Sequence, residues 1–309
     1  MKNPSPLKPE SIYLTDGGLE TTLIFHDGLD LPFFAAFDLL KDEAGRSKLL
    51  SYYERYARIA IEGGCGFILE TPTWRASRDW GVELGYDEDR IADFNRESID
   101  LMNTVRNQFE TQNSPMVVSG NIGPRGDGYA VGKQMTVDGA LNYHEHQINA
   151  LAEAGADLIT AITMTYIDEA VGIVRAAQGA NVPVVIGFTT ETDGRLPSGE
   201  SLETAITAVD EATGHGPAYY MVNCAHVDHF SAALADDETW TQRIRGIRAN
   251  ASRLSHDELD ECEVLDDGDP TEFGELYRQL RERLPKLNVF GGCCGTDHRH
   301  VNSVRLAIC

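Results

Sequence analysis

Short runs of apolar and β-branched residues alternate along the chain with longer segments in which apolar residues recur every three or four positions. The short runs predict eight strands, at Ile12–Thr15, Phe67–Glu70, Met116–Ser119, Leu158–Ala161, Val184–Phe188, Tyr219–Val222, Ile244–Ile247 and Asn288–Phe290. The longer segments have the spacing of amphipathic helices. Strands and helices that alternate in this way predict a parallel sheet with helical crossovers.

The helical pattern is clearest in three of these segments. Their apolar positions are Leu49, Tyr53, Tyr56, Ala57 and Ala60; Leu141, Ile148, Leu151 and Ala152; and Phe273, Leu276, Leu280 and Leu284. Glycines end the first two helices, at Gly63–Gly64 and at Gly155, and the third begins after Pro270. The pattern is weaker after the fifth and sixth strands, so the helices expected there are less well defined.

Eight strand–helix units in about 300 residues predict a closed (β/α)₈ barrel of the α/β class. A doubly wound open sheet is the alternative, although no Gly-x-Gly-x-x-Gly follows the first strand, as a dinucleotide-binding version would require. No internal repeat or shift in composition marks a second domain. We therefore expect residues 1–309 to form one catalytic barrel, with its core at about residues 11–306.

The chain is strongly acidic. Its 49 acidic and 26 basic residues give a net charge of −23 and a pI near 4.6. Such a surface repels phosphates, so neither nucleic acid nor an anionic membrane is expected as a partner. No apolar run is long enough to cross a membrane, and the N-terminus lacks the apolar core of a signal peptide. A cytoplasmic location is expected, while the pattern carries no signal for the oligomeric state.

One segment, residues 256–269, holds a local excess of acidic residues. They are Asp257, Glu258, Asp260, Glu261, Glu263, Asp266, Asp267 and Asp269. A calcium-binding loop is one interpretation, but the spacing does not fit an EF-hand. A solvated surface segment is the expectation.

Three cysteines stand at the ends of predicted strands. Cys224 follows the sixth strand, and the adjacent Cys293 and Cys294 follow the eighth, 69 residues further on. Two barrel units of about 31 residues each span a similar length. We therefore expect the three sulfur atoms to meet at the C-terminal rim of the barrel, where barrel enzymes keep their active sites.

Three thiolates on such a rim suit Zn²⁺, which prefers four ligands in a tetrahedron. Three protein ligands leave one position open, which is typical of a catalytic zinc site. Gly291, Gly292 and Gly295 would let adjacent cysteines face one ion. The alternatives are that the adjacent pair is small and buried or forms a vicinal disulfide.

The remaining cysteines have no comparable setting. Cys65 lies between a helix end and a strand, so we expect a small core residue there. Cys262 lies in the acidic segment and Cys309 ends the chain. None of the three is a candidate ligand.

Five segments resemble motifs of the homocysteine S-methyltransferase family, whose members are zinc-dependent (β/α)₈ barrels. The strongest are Gly-Gly-Cys-Cys-Gly-Thr at 291–296 and Val-Asn-Cys at 222–224, taken together. Supporting segments are Thr-Asp-Gly-Gly-Leu-Glu-Thr-Thr-Leu at 15–23, Glu-Thr-Pro-Thr-Trp at 70–74 and Gly-Asn-Ile-Gly-Pro-Arg-Gly at 120–126. The resemblance covers nearly the whole chain, roughly residues 11 to 306.

The resemblance implies methyl transfer from an onium donor to a thiol held on zinc, with homocysteine as acceptor and methionine as product. A free thiol has a pKa of about 8.5, and coordination to Zn²⁺ removes its proton. The resemblance also implies that Asp16 and the backbone N–H groups around Gly17 and Gly18 hold the amino-acid end of the acceptor. The alternative for Asp-Gly-Gly is an ordinary strand-to-helix turn.

Two positions depart from the family's pattern. Members that use homocysteine usually carry a Glu near the end of the fourth strand, where this chain has Ile162, which cannot pair with an ammonium group. Glu20 stands where the family tends to place a small residue. Either Glu20 replaces the missing carboxylate, or the acceptor lacks an amino group or is a different thiol.

The donor is also open, among S-methylmethionine, S-adenosylmethionine, betaine and related onium compounds. Aromatic faces hold such cations, and Trp74 after the second strand is the candidate, with a core or rim aromatic as the alternative. Two other functions stay open as well: a non-catalytic barrel that binds zinc and a thiol, and a zinc hydrolase. Three sulfur ligands without His or carboxylate make the hydrolase the weaker of the two.

Overall fold

The computed structural model describes residues 5–236, 238–260, 262 and 264–309. Its parallel strands close into a barrel in sequence order, because β1 pairs with β2 on one side and with β8 on the other. The strands are β1 Tyr13–Leu14, β2 Gly66–Glu70, β3 Met116–Ile122, β4 Leu158–Met164, β5 Val184–Phe188, β6 Tyr219–Asn223, β7 Ile244–Ala249 and β8 Val289–Gly292. The predicted (β/α)₈ barrel is confirmed, and ring closure excludes the open sheet.

Helices surround this barrel. Among the described residues they are α1 Leu19–Thr21, α2 Glu43–Gly63, α3 Arg78–Glu83, α4 Glu88–Phe109, α5 Val137–Glu153, α6 Ile167–Gly179, α7 Leu202–Thr213, α8 Val227–Phe230, α9 His256–Asp260, α10 Pro270–Arg283 and α11 His298–Ile308. Short helical turns of π or 3₁₀ type lie at Thr22–His26, Pro32–Phe34, Ala36–Lys41, Ser231–Ala233 and Thr241–Arg243.

The predicted helix boundaries follow their local chemistry. Helix α2 ends at Gly64, whose φ of 64° is the left-handed conformation that glycine adopts without strain. Pro270 occupies the first turn of α10, as predicted, and the Asp269 side chain caps it by accepting N–H groups of Thr271 and Glu272.

The two weaker helix predictions had different outcomes. After β5 the chain forms the regular helix α7, capped by the Ser201 side chain and ended by Gly214. After β6 it forms only the four-residue α8, followed by short turns. The crossover from β6 to β7 is therefore made mainly by irregular chain.

The core lies in two layers, between the sheet and its helices and inside the barrel. The outer layer contains the predicted stripe of α2, in which Leu49, Tyr53 and Ala60 are fully buried. The inner layer joins apolar side chains of several strands, among them Ile68 and Ile162. No helix within the described ranges is long and apolar enough to cross a membrane.

Candidate active site

A cavity of about 350 Å³ opens at the C-terminal ends of the strands. Its lining includes all three predicted cysteines, Cys224, Cys293 and Cys294, and all five predicted substrate residues, Asp16, Gly17, Gly18, Glu20 and Trp74. Residues far apart in sequence meet there because parallel strands in a barrel end on the same rim. The volume suits a small-molecule substrate.

The three cysteine sulfurs lie together on one wall of this cavity. Their Sγ atoms are all within 4.8 Å of one another, and they form the group suited to hold a metal ion among the described residues. Cys224 is buried, while the other two are partly exposed to the cavity. The spacing argument therefore placed these sulfurs together correctly.

The structure joins Cys224 and Cys293 by a disulfide bond, with Cα atoms 5.3 Å apart. Cys294 lies beside this bond, and its Sγ is 3.1 Å from the Tyr129 hydroxyl. The vicinal disulfide considered as an alternative is thus not the pairing found. Because a metal ligand must be a thiolate, reduction of the bond is required before all three sulfurs can bind an ion.

Cys224 is held by the backbone around it. Its φ of 53° is left-handed, and its N–H donates to the carbonyl of Arg248 on the neighbouring strand β7. Its own carbonyl accepts from the Thr189 hydroxyl and from His256 Nε2. These contacts direct the side chain toward the pair at the end of β8.

The loop after β8 positions Cys293 and Cys294 through Thr296. The Thr296 hydroxyl donates to the Cys293 carbonyl at 2.7 Å and accepts the Gly18 N–H at 3.0 Å. Gly295 has a φ of 77°, which allows the sharp turn that the sequence predicted. The loops after β1 and β8 are therefore tied together directly beneath the sulfurs.

The cysteine cluster fits a thiophilic metal ion. Three sulfur ligands within 4.8 Å of one another can share one tetrahedral ion, leaving one position toward the cavity. The donor set contains neither His nor carboxylate, which favours a soft or borderline metal over Mg²⁺ or Ca²⁺.

Asp16 lies on the cavity floor but already has partners within the protein. Its Oδ1 accepts from Arg248 Nη2 at 2.8 Å, and its Oδ2 accepts from the Tyr52 hydroxyl at 3.0 Å. Burial raises the pKa of Asp16, against the opposing effects of Arg248 and Tyr52. Arg248 is itself buried, with 4% of its surface exposed.

The two glycines after Asp16 make room for close packing. A side chain on Gly18 would lie 2.6 Å from the Cys293 carbonyl oxygen, so the loop could not approach the cysteines with any larger residue. The Gly18 N–H donates to Thr296, and the Gly17 carbonyl accepts from Tyr52. The Gly18 N–H therefore already has a hydrogen-bond partner within the protein.

Two further carboxylates face the cavity with raised pKa values. Burial raises the pKa of Glu20 to about 7, with the Asp16 charge adding to the effect. Burial also raises the pKa of Glu70, the last residue of β2, to about 7, although Arg248 opposes the shift. Ile162 of β4 lines the same cavity and is 7% exposed.

Trp74 borders the cavity, and one of its faces is already covered. The guanidinium of Arg75 lies 3.9 Å from the centre of the Trp74 ring and 4.1 Å from that of Trp80. Burial lowers the pKa of Arg75 to about 10. A donor cation could therefore use only the uncovered face of Trp74.

Sequence reasoning missed the roles of four residues that this cavity brings together. They are Glu70, Arg248, Tyr129 and His256. The Tyr129 ring stacks on the His256 ring at a centroid distance of 4.1 Å. The one available signal for Arg248 was a charged residue between the apolar residues Ile247 and Ala249, although the same strand also contains Arg245.

The acidic segment forms part of the cavity mouth, where Asp266 accepts from the Ser252 hydroxyl and Asp269 caps α10. Glu261 and Glu263 lie outside the described residues. No metal-binding cluster is found among the segment's described residues. Asp267 pairs with Arg299, and Glu258 accepts from the Ser255 hydroxyl.

The other cysteines stand apart from the cluster. Cys262 is exposed at the cavity mouth, while Cys65 is buried as predicted. The structure also bonds Cys65 to Cys309, a pairing that the sequence did not suggest.

The fold and the cysteine-lined rim define a barrel enzyme with a thiol-rich centre. A family model described as homocysteine S-methyltransferase matches residues 13–308. The chain belongs to the homocysteine S-methyltransferase family and is an S-methyltransferase.

Curated relatives cover nearly the same length. The chain is 22% identical to homocysteine S-methyltransferase 1 of Arabidopsis thaliana, over 94% of this chain and 91% of that protein. It is 23% identical to homocysteine S-methyltransferase 4 of Zea mays, over 96% and 89%.

Among solved structures, the homocysteine methyltransferase MmuM from Escherichia coli shares the fold. Its oxidized form matches with a TM-score of 0.77 at 18% identity, covering 98% of both chains. Its metallated form matches with a TM-score of 0.70 at 16% identity, covering 96% of both.

Proposed function

We propose that the protein is a zinc-dependent enzyme that moves a methyl group from an onium donor to the thiol of homocysteine, giving methionine. The observation that carries this proposal is the group of three cysteine sulfurs within 4.8 Å of one another on the wall of a cavity of about 350 Å³. Residues 1–309 would act as one catalytic barrel. A cytoplasmic location remains a prediction.

Cys224, Cys293 and Cys294 are the residues that would hold Zn²⁺, once the bond between the first two is reduced. An ion held there would supply the charge that removes the proton of the acceptor thiol, whose ordinary pKa is about 8.5. Tyr129, with its hydroxyl 3.1 Å from Cys294 Sγ, can donate a hydrogen bond to the thiolate and fix its direction.

The chemical step needs the acceptor sulfur and the donor methyl carbon in line. A bond forms between that sulfur and the carbon, and the bond from the carbon to the donor's onium atom breaks, with its electron pair passing to the donor. The apolar side chains of Ile24, Phe25 and Phe34 line the cavity, and Phe25 and Phe34 are half-exposed. The protein thereby contributes mainly orientation.

The charge of the cavity favours a cationic donor. Five carboxylates line it, against the two buried guanidinium groups of Arg248 and Arg75. The carboxylates are Asp16, Glu20, Glu70, Asp127 and Asp266. The part of the Trp74 ring that lines the cavity offers an additional site for a sulfonium or quaternary ammonium group. S-Methylmethionine, S-adenosylmethionine and betaine are the donors to assay.

Zinc content, measured on reduced protein, tests the ligand assignment. We expect about one zinc per chain in the wild type and a large loss in Cys294→Ser, because two sulfurs alone hold the ion weakly. Cys262→Ser removes an exposed cysteine at the cavity mouth and serves as the matched control. Full retention of zinc by Cys294→Ser would contradict the assignment.

Methyl transfer tests the activity itself. The wild type should methylate homocysteine with at least one of the three donors and lose that activity on chelation. Failure with every donor, in protein shown to contain zinc, would leave a non-catalytic thiol-binding barrel as the better interpretation.

A further inference from the structure

Three buried charged residues from different strands meet on the cavity floor. Asp16 follows β1, Glu70 ends β2 and Arg248 lies in β7. Each is less than 5% exposed, and each lines the cavity. Charges this deeply buried normally have partners, because an unpaired charge in the interior is costly.

The partners are unequally distributed among these residues. Arg248 donates a hydrogen bond from Nη2 to Asp16 at 2.8 Å and another from Nε to the Gly292 carbonyl at 3.1 Å. Both oxygens of Asp16 thus accept a hydrogen bond, from Arg248 and from Tyr52. This half of the floor is internally satisfied.

Glu70 is not satisfied in the same way. Neither of its carboxylate oxygens makes a hydrogen bond of good geometry, and the same is true of Arg248 Nη1. The hydroxyls of Ser119 and Thr160 lie close enough to lower the pKa of Glu70, but neither carries a charge. The two groups face each other with Nη1 3.9 Å from Oε1, which is beyond hydrogen-bond distance. One unpaired buried acceptor and one unpaired buried donor therefore lie side by side at the cavity.

An α-amino acid carries the complementary pair of groups. Its ammonium can donate to both oxygens of a carboxylate, and its carboxylate can accept from a guanidinium. Ile162 on β4 is apolar and offers neither group. Of the two floor carboxylates, Asp16 uses both oxygens on Tyr52 and Arg248, whereas Glu70 has no charged partner within hydrogen-bond distance.

We propose that Glu70 and Arg248 bind the amino-acid end of the acceptor, with Glu70 accepting the ammonium and Arg248 Nη1 donating to the carboxylate. The acceptor class is thus a thiol that carries an α-amino acid head. The identity of the acceptor as a thiol rests on the proposed function. The binding of its amino-acid head does not, and that binding can be tested without any reaction. Asp16 then acts as a positioning residue that orients Arg248.

The competing residue is Glu20, which lines the same cavity. Glu20 lies in helix α1 and Glu70 at the end of β2, so the conservative variants Glu70→Gln and Glu20→Gln change the two carboxylates separately. Glutamine keeps the size of the side chain and removes the charge, so the fold should tolerate both changes. Urea unfolding would verify that each variant is folded.

The first measurement compares L-homocysteine with 4-mercaptobutyrate, which has the same thiol, chain and carboxylate but no ammonium. In the wild type kcat/KM should favour homocysteine. Glu70→Gln should reduce that preference about 10- to 100-fold, mainly through KM, as expected for losing a hydrogen bond between charged groups. Glu20→Gln should reduce it much less.

The second measurement uses binding alone and so separates the two proposals. Calorimetry should show that L-methionine binds more tightly than 4-(methylthio)butyrate to the wild type, and that Glu70→Gln removes the difference. If Glu70→Gln removes the difference in binding but the wild type transfers no methyl group, the proposed function is overturned and this inference stands. Conversely, methyl transfer with an unchanged preference in Glu70→Gln, or a preference lost only in Glu20→Gln, would overturn the inference alone.

Discussion

Replacing Glu70 by glutamine should make the protein more stable at alkaline pH, by an amount that follows from the burial of this carboxyl. Glu70 is 2% exposed, and its carboxylate makes no hydrogen bond of good geometry, with only the hydroxyls of Ser119 and Thr160 close by. Burial raises its pKa from the ordinary 4.5 to about 7, even though Arg248 lies nearby. A difference of this size between folded and unfolded chains corresponds to about 3 kcal/mol.

The sign follows from where the proton is held. Between pH 4.5 and about 7 the folded protein keeps a proton on Glu70 that the unfolded chain has released. The stabilisation is therefore fully present below pH 4.5 and is lost as the pH rises through about 7. About 2 kcal/mol of that loss falls between roughly pH 5.5 and pH 8. Glutamine does not ionise, so the variant should escape this loss.

Urea unfolding at about pH 5.5 and pH 8 measures the effect, and both values lie above the pI of 4.6, where the protein stays charged. The free energy of unfolding of Glu70→Gln, relative to wild type, should rise by about 2 kcal/mol between the two conditions. Glu153→Gln, on the exposed side of α5, controls for the loss of one negative charge. The same difference from wild type at both pH values would refute the reasoning.

Two other substitutions test the contacts around the site. Arg248→Met should lower the free energy of unfolding by about 3–5 kcal/mol in urea, because it leaves the Asp16 carboxylate buried without its cation; a loss below about 1 kcal/mol would mean that the pair contributes little. Tyr129→Phe removes the hydroxyl 3.1 Å from Cys294 Sγ and should speed zinc loss to a chelator about 10-fold, whereas an unchanged rate would show that this contact does not support the metal.

The barrel was predictable because its strands are short and apolar and are separated by helical spacing. Each predicted strand is present within a few residues of its expected bounds, although β1 shrinks to Tyr13–Leu14. Position on the rim then follows from topology, because parallel strands all end on one side. That rule brought Cys224 to the pair after β8 without any knowledge of side-chain contacts.

The floor of the cavity was not predictable in the same way. β2 and β7 are separated in the ring by β1 and β8, so only closure shows that Glu70 and Arg248 meet. A sequence pattern also cannot show which charges are already paired. Asp16, the carboxylate that the family motif singles out, uses both oxygens on Tyr52 and Arg248.

The end of β4 shows a second limit. The register between β4 and β5 shifts between Ala161 and Met164, and Thr163 has a φ of 63°. The Asn223 side chain holds this irregular segment by accepting the Thr163 N–H and donating to its hydroxyl. A bulge of this kind depends on a partner one strand beyond the neighbour and leaves no trace in the alternation of residues.

The excess of carboxylates in the cavity bears on the direction of the proposed reaction. In the proposed reaction the donor enters as a cation and is attracted by Glu20, since Glu70 holds the ammonium of the acceptor, but it loses its onium charge when its methyl group leaves. The attraction that holds the donor therefore weakens at the moment of transfer, while the ammonium of the acceptor keeps its place on Glu70. Buried carboxylates cost stability in the empty cavity, but they allow it to distinguish the donor from the spent donor by charge as well as by shape.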